Sequence, residues 1–202
     1  TLAAEPWAYR RRARIACRWL ADKKHLALGF RQRHSQTIVE IEHCAVLVST
    51  LQKLLPSLRQ CLSQWSQPRQ LGHIELLAAG NGIGMLLRVT AALSPVDQAL
   101  LQAFAVEQAV TVFIQQEEKS SAQYVFGKEQ VLLLQHEKSK TALACMPGDF
   151  LQANGAVNAL LIDAVLSAMD LRKTDLVLEA FSGLGNFTLP IAKAVKQVSA
   201  LE

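Results

Sequence analysis

Gly183 and Gly185, in the stretch DLVLEAFSGLGNFTLPIA, stand where a hydrophobic strand gives way to a helix. Glycine at such a junction lets the backbone turn sharply and lets a ligand approach closely. The amides that open the following helix can bind a polar ligand group. Glu202 ends the next strand, where a carboxylate can accept hydrogen bonds from a ribose diol. Turn, helix and acid together suit an adenosine-containing cofactor, although a G-x-G by itself also fits an ordinary tight turn. The third glycine of the dinucleotide fingerprint is missing, because Phe187 and Thr188 occupy that region, which argues against a nicotinamide site.

Arginine supplies the second kind of chemistry. Residues 1–33 hold nine Lys or Arg against Glu5 and Asp22, about +7, while the remainder is about −3, for a net charge of +4. The basic character is therefore local. Arg10, Arg11, Arg12, Arg14, Arg18, Arg31 and Arg33 can fork onto phosphates or stack on unpaired bases. Trp7, Tyr9 and Trp19 lie among them and suit stacking on single-stranded RNA. The plainer alternative is a solvated hairpin face with core aromatics. The four cysteines, Cys17, Cys44, Cys61 and Cys145, form no C-x-x-C pair and read as reduced thiols of an intracellular protein.

These residues need elements to hold them. RRRARIACRWL and LALGFRQR, joined by ADKKH, read as an antiparallel hairpin, and TIVEI adds a short third strand. AVLVSTLQKLLPSLRQCLSQW has helical leucine spacing, with Pro56 expected to start, end or kink a helix. LGHIELLAAGNGIGMLLRVT reads as strand, turn, strand. Ser94 and Pro95 fit the cap and first turn of another helix. VTVFIQ, EQVLLLQH and TALACMP read as further strands. Near residue 148 the character changes. A polar loop runs into an apolar helix, and strand, helix and strand follow in a βαβ unit. The expected class is α/β, with an α+β region over residues 1–147 and the start of a Rossmann-like domain over 148–202. No charge-free apolar run reaches a membrane-spanning length, and the opening residues lack the order of a secretory signal. A cytoplasmic location is expected. Both chain ends look internal to a longer protein.

EAFSGLGNFTLPIA resembles the first cofactor motif of the RNA (uracil-5-)-methyltransferases, D-L-[FY]-C-G-x-G-N-F-[ST]-L. PGDFLQAN looks like the F-x-Q-x-N segment of the same family. PWAYRRRARI, LGFRQRHSQTIVEIEHC, LLPSLRQCL and LGHIELL resemble the middle region of the bacterial branch that methylates 23S ribosomal RNA at a uracil carbon-5. Nearly the whole chain is covered. Glu179 and Ser182 stand where the family commonly has Asp and Cys. The first change keeps the charge on a longer arm, and the second is small.

The resemblance implies S-adenosylmethionine as cofactor, held at Gly183, Gly185, Asn186, Phe187 and Glu202. It places Gln152 and Phe150 beside the cofactor and the target base, with Asn154 supporting their loop. Read without it, Phe150 is plain core and Gln152 a helix-start residue. Cys44 resembles the last of four cysteines that hold a 4Fe-4S cluster in this branch. The other three have no counterpart in the 202 residues, so an intact cluster is not expected in this chain. The family's nucleophilic cysteine lies in an S-C-N-P motif that is also absent, so no catalytic residue is assigned. The expected partner is 23S rRNA, with no membrane. A transfer RNA substrate and a non-enzymatic RNA-binding module are the alternatives.

Overall fold

A computed structural model describes residues 1–116 and 121–202. Its largest element is a seven-stranded mixed sheet in the order β3-β2-β1-β4-β5-β6-β7. The hairpin of β1 (Arg12–Leu20) and β2 (His25–Arg31) continues into β3 (Ile38–Glu40). β1 pairs antiparallel with β4 (Leu71–Ala79), which pairs with β5 (Gly82–Val89) through the expected glycine turn. β5 then runs parallel to β6 (Val110–Gln115), and β7 (Gln123–Phe126) closes the far edge. A parallel neighbour requires a crossover, and helix α2 (Pro95–Glu107) supplies it. Ser94 caps α2 by accepting the Asp97 amide at 3.1 Å, with Pro95 in the first turn.

Side chains alternate across each strand. Ile15, Leu26, Leu28, Ile74, Leu76, Met85 and Leu87 face one way and meet Leu51, Leu54, Leu58 and Leu62 of α1 (Ser49–Ser63) and Leu101 and Phe104 of α2. α1 continues through Pro56 instead of starting or ending there. Pro56 is on the exposed side while leucines on both sides of it are buried. Burying each leucine contributes about 1.5–3 kcal/mol, which together offset the roughly 3 kcal/mol cost of an internal proline.

The other sheet face is covered only in part. β8 (Leu132–His136) and β9 (Thr141–Cys145) form a hairpin whose Leu132, Leu134 and Cys145 join Leu151 around Leu77. Glycine is needed at position 84, since a Cβ there would overlap Leu132 and Pro147. Behind the hairpin stand α3 (Gly155–Met169) and the unit β10 (Leu176–Ala180), α4 (Thr188–Ala194), β11 (Gln197–Leu201), whose strands pair in parallel. Buried His136 ties the hairpin to α3: its Nδ1 lies 2.6 Å from Ser139 Oγ and its Nε2 3.6 Å from Asp163 Oδ1. Among the described residues no helix is long and apolar enough to cross a membrane.

Candidate cofactor cleft and nucleic-acid interface

The turn after β10 is held at both ends. The Ser182 amide donates to Leu201 O at 3.0 Å, and the Gly185 amide to Ser182 O at 2.9 Å. Gly183 and Gly185 have φ of +55° and +92°, conformations that glycine adopts without strain. The Thr188 hydroxyl, in the first turn of α4, donates to Glu179 at 2.5 Å. Glutamate at 179 thus reaches across the turn and pins the helix start. The Gly183 amide donates to Glu202 Oε2 at 2.6 Å, so the glycine turn and the carboxylate expected to meet a ribose lie together.

The facing wall is the segment between β9 and α3. The Met146 amide donates to Asp149 at 2.8 Å, and Asn154 caps α3 by accepting the Val157 amide at 3.0 Å. Leu151 is buried against Leu77, which leaves its neighbours Phe150 and Gln152 exposed. Between the walls lies a cleft of about 540 Å³ lined by Phe150, Gln152, Phe181, Gly183, Asn186, Phe187 and Glu202. This size suits a small-molecule cofactor. A Cβ built on Gly183 meets no protein atom within 4 Å, so the turn leaves room for a ligand against its backbone. The residues present therefore fit an adenosine group: the Glu202 carboxylate for a ribose, aromatic surfaces for a planar base. Gly185 is on the other side of the turn, lining a void of about 30 Å³ with Arg11, Gly155, Asn158 and Asn186.

Two contributors escaped the sequence reading. Phe181 is 93% exposed with φ of +60°, and no local signal marks a phenylalanine for the left-handed region. Asn158, read only as part of an apolar helix, is buried and exchanges two amide hydrogen bonds with Asn186, at 2.9 and 3.0 Å. An asparagine in the apolar first two turns of this helix was the available signal.

The arginines separate by strand alternation. Arg12, Arg14 and Arg18 point away from the core that holds Ala13, Ile15 and Cys17. Their face continues through His73 and Glu75 of β4 to Arg88 of β5. Arg14 and Arg18 are exposed, as are Arg31 and Arg33. Arg18 donates to Gln36 O at 3.3 Å, Arg31 bonds the Gln36 side chain, and Arg33 donates to His34 at 3.1 Å. Arg10 and Arg11 are half-buried where the sheet meets the cleft loop: Arg10 bridges Leu47 and Asn154, and Arg11 Nε donates to Gln152 O at 3.1 Å. Trp7 is exposed, while Trp19 packs partly against the core.

Glu75 is the buried anion of this face. His73 Nε2 lies 3.6 Å from it, Arg12 donates to it at 2.8 Å, and Arg14 Nε is 3.9 Å away. The His73 contact, against the opposing effect of burial, and then the bond and charge of Arg12 and the charge of Arg14 pull its carboxyl down to about 2. A depressed carboxyl stabilises the fold above its unfolded value, about 4.3, and loses that contribution as pH falls towards 2. Urea unfolding at pH 6 and pH 3 checks this: wild-type protein loses stability between the two, and Glu75→Gln loses less.

Burial pushes the thiols of Cys17, Cys61 and Cys145 up to about 12, 11 and 11. Cys44 is half-buried, with its amide bound to Gln52 Oε1 at 2.8 Å. Among the described residues no three His, Cys, Asp or Glu side chains gather as a metal site. Cys44 is thus, among the described residues, not part of a gathered set of metal ligands.

The sequence profile of the tRNA (Uracil-5-)-methyltransferases matches residues 2–202. The chain belongs to this family. Its relatives include the 23S rRNA (uracil(1939)-C(5))-methyltransferase RlmD of Pasteurella multocida (strain Pm70) and that of Histophilus somni (strain 129Pt). Each is 42% identical over 201 residues, which cover 100% of this chain and 45% of the relative. The chain thus spans somewhat less than half the length of these family members. The fold matches a crystal structure of Pyrococcus abyssi tRNA (uracil-54, C5)-methyltransferase in complex with S-adenosyl-L-homocysteine. The TM-score is 0.66 at 20% identity, over 94% of this chain and 47% of that one. The α/β class read from the sequence agrees with this fold.

Proposed function

We propose that this chain supplies the cofactor cleft and an RNA-contacting sheet of an enzyme that moves a methyl group from S-adenosylmethionine to carbon-5 of a uridine in 23S rRNA. The carrying observation is that Phe150, Gln152, Gly183, Asn186, Phe187 and Glu202 line one cleft. The cofactor supplies an electrophilic methyl group. Glu202 accepts from its ribose, Gly183 leaves it room, Gly185 shapes the turn, and Phe187 packs on its adenosine. Gln152 and Phe150 face the target base, which must leave its stack to enter a pocket. Residues 1–147 form the RNA-contacting region and 148–202 the start of the methyltransferase domain. Leu176, Leu178 and Leu201 stand exposed on the parallel pair β10-β11. Parallel sheets are ordinarily covered on both faces, which supports a further covering layer over this pair in the gene product. Cys44 is assigned as the fourth cluster ligand there. Relatives at 42% identity named for 23S rRNA favour that substrate over transfer RNA.

RNA is held by the sheet face bearing Arg12, Arg14, Arg18 and Arg88, with Arg31 and Arg33 beside it and Arg10 at its margin. Arginines that neutralise phosphates release counterions, so affinity falls steeply with salt. The test is fluorescence anisotropy with a short single-stranded 23S rRNA segment across a salt series, with S-adenosylhomocysteine binding measured by calorimetry. Replacing Arg14, Arg18 and Arg88 by Gln is expected to flatten the slope of log affinity against log salt by up to about one unit per lost contact. Lys193→Gln serves as control, since it stands on α4, outside this sheet face. An unchanged slope in the triple variant sinks the assignment of this face. Failure of the wild-type chain to bind S-adenosylhomocysteine sinks that of the cleft.

A further inference from the structure

Arg11 lies within the arginine run but is used differently from Arg12 and Arg14. Its amide donates to Ala153 O at 3.1 Å, and its carbonyl accepts the Ala78 amide of β4 at 2.8 Å. Its guanidinium donates to Gln152 O at 3.1 Å through Nε. The same group is seated against the start of α3, where a Cβ on Gly155 would come within 3.1 Å of its terminal nitrogen. Burial lowers its affinity for the proton from the ordinary arginine value. One residue thus joins β4, the loop carrying Gln152 and the first turn of α3.

The opposite wall of the cleft has its own tie to the same helix. Asn158, one turn beyond Gly155, holds Asn186 of the glycine turn by two hydrogen bonds. Arg11, Gly155, Asn158, Gly185 and Asn186 surround the small void behind the cleft. A reciprocal amide pair and a guanidinium on a carbonyl are directional contacts, so they set orientation as well as distance.

We infer that Arg11 is a positioning residue for the cofactor, which fixes the Gln152 loop and the α3 start against the sheet, and is not a phosphate contact. The inference rests on the proposed methyltransferase function. Gln152 keeps its place at the cleft because its carbonyl is held from behind, and the arginine touches neither cofactor nor RNA.

The two roles predict opposite kinetic signatures. In the gene product carrying this chain, Arg11→Met is expected to raise KM for S-adenosylmethionine and Kd for S-adenosylhomocysteine roughly tenfold, the loss of one charge-assisted hydrogen bond. KM for RNA and the salt slope of RNA binding stay within about twofold of wild type. Gly155→Ala is the companion variant. It keeps the arginine and adds a Cβ that displaces the guanidinium by a few tenths of an ångström. It is expected to weaken S-adenosylhomocysteine about threefold without lowering Tm, since alanine is the better helix former. A purely structural role would not separate cofactor affinity from Tm in this way. Unchanged cofactor constants in Gly155→Ala overturn the inference, and so does a salt slope reduced by about one in Arg11→Met with cofactor binding intact. If Arg11→Met fails to fold, Gly155→Ala decides alone. A wild-type protein that binds no S-adenosylhomocysteine overturns the proposed function together with this inference, whereas normal wild-type binding with unaffected variants overturns the inference alone.

Discussion

Incubated with a 23S rRNA segment and labelled S-adenosylmethionine, the 202-residue chain is expected to transfer no methyl group, a complete loss relative to an intact family enzyme. Adding a thiolate to uracil carbon-6 makes carbon-5 nucleophilic towards the methyl group, and a base must then remove the carbon-5 proton. The thiolate is the reactive form. Cys17, Cys61 and Cys145 are buried, with pKa values pushed to about 12, 11 and 11, so almost none of their thiol is ionised at neutral pH. Cys145 moreover donates to Leu132 O, 3.6 Å away inside the small core beneath the β8-β9 hairpin. Cys44 does not line the cleft and lies beside Gln52 of α1. The S-C-N-P motif occurs nowhere in the sequence. Label in the RNA, eliminated by a folded Gly183→Val control, would assign chemistry to these residues and defeat the expectation.

Gly183→Val is expected to cost more than about tenfold in S-adenosylhomocysteine affinity, equivalent to at least about 1.4 kcal/mol, with a fall in Tm as well, because φ of +55° is also foreign to a branched L-residue. Gly185→Val is expected to lower both. The two losses of affinity arise differently, from where each Cβ would go. At Gly183 it enters open space in the cleft and meets no protein atom within 4 Å, so the valine occupies ligand volume. At Gly185 it lies an ordinary 3.6 Å from Thr188, but φ of +92° is foreign to a branched L-residue. That strain, of order 1–3 kcal/mol, is relieved by shifting the turn, which moves Asn186 and the start of α4. Calorimetry and thermal unfolding of both variants check the pair. Equal ligand affinity in Gly183→Val and wild type would remove the glycine turn from the cofactor site.

Much of this molecule was legible as local pattern. Leucine spacing marked α1, the Ser94-Pro95 pair marked the start of α2, and the hydrophobic run before two glycines marked β10 and its turn. Caps, alternation and helical period act over a few residues, so a sequence states them directly. The resemblance to the uracil-5 methyltransferases also rested on short contiguous motifs, and the family match covers residues 2–202. Helical leucine spacing ran across Pro56, but whether a helix would pass through the proline was settled by packing, because the compensation comes from leucines buried on a distant sheet.

Tertiary structure decided what each polar residue is for. Adjacent arginines in RRRAR look alike in sequence, yet strand alternation sends Arg12 and Arg14 to Glu75, while Arg11 holds the carbonyl of Gln152, 141 positions away. Asn158 came to support the cleft wall from behind only because α3 packs its first turns against the glycine turn. Phe150 and Phe187 share a cleft because Leu151 anchors its loop on Leu77 of β4. Local chain stiffness writes the elements into neighbouring residues. The convergence of a site depends on which buried faces meet, and that is a property of the whole packed chain.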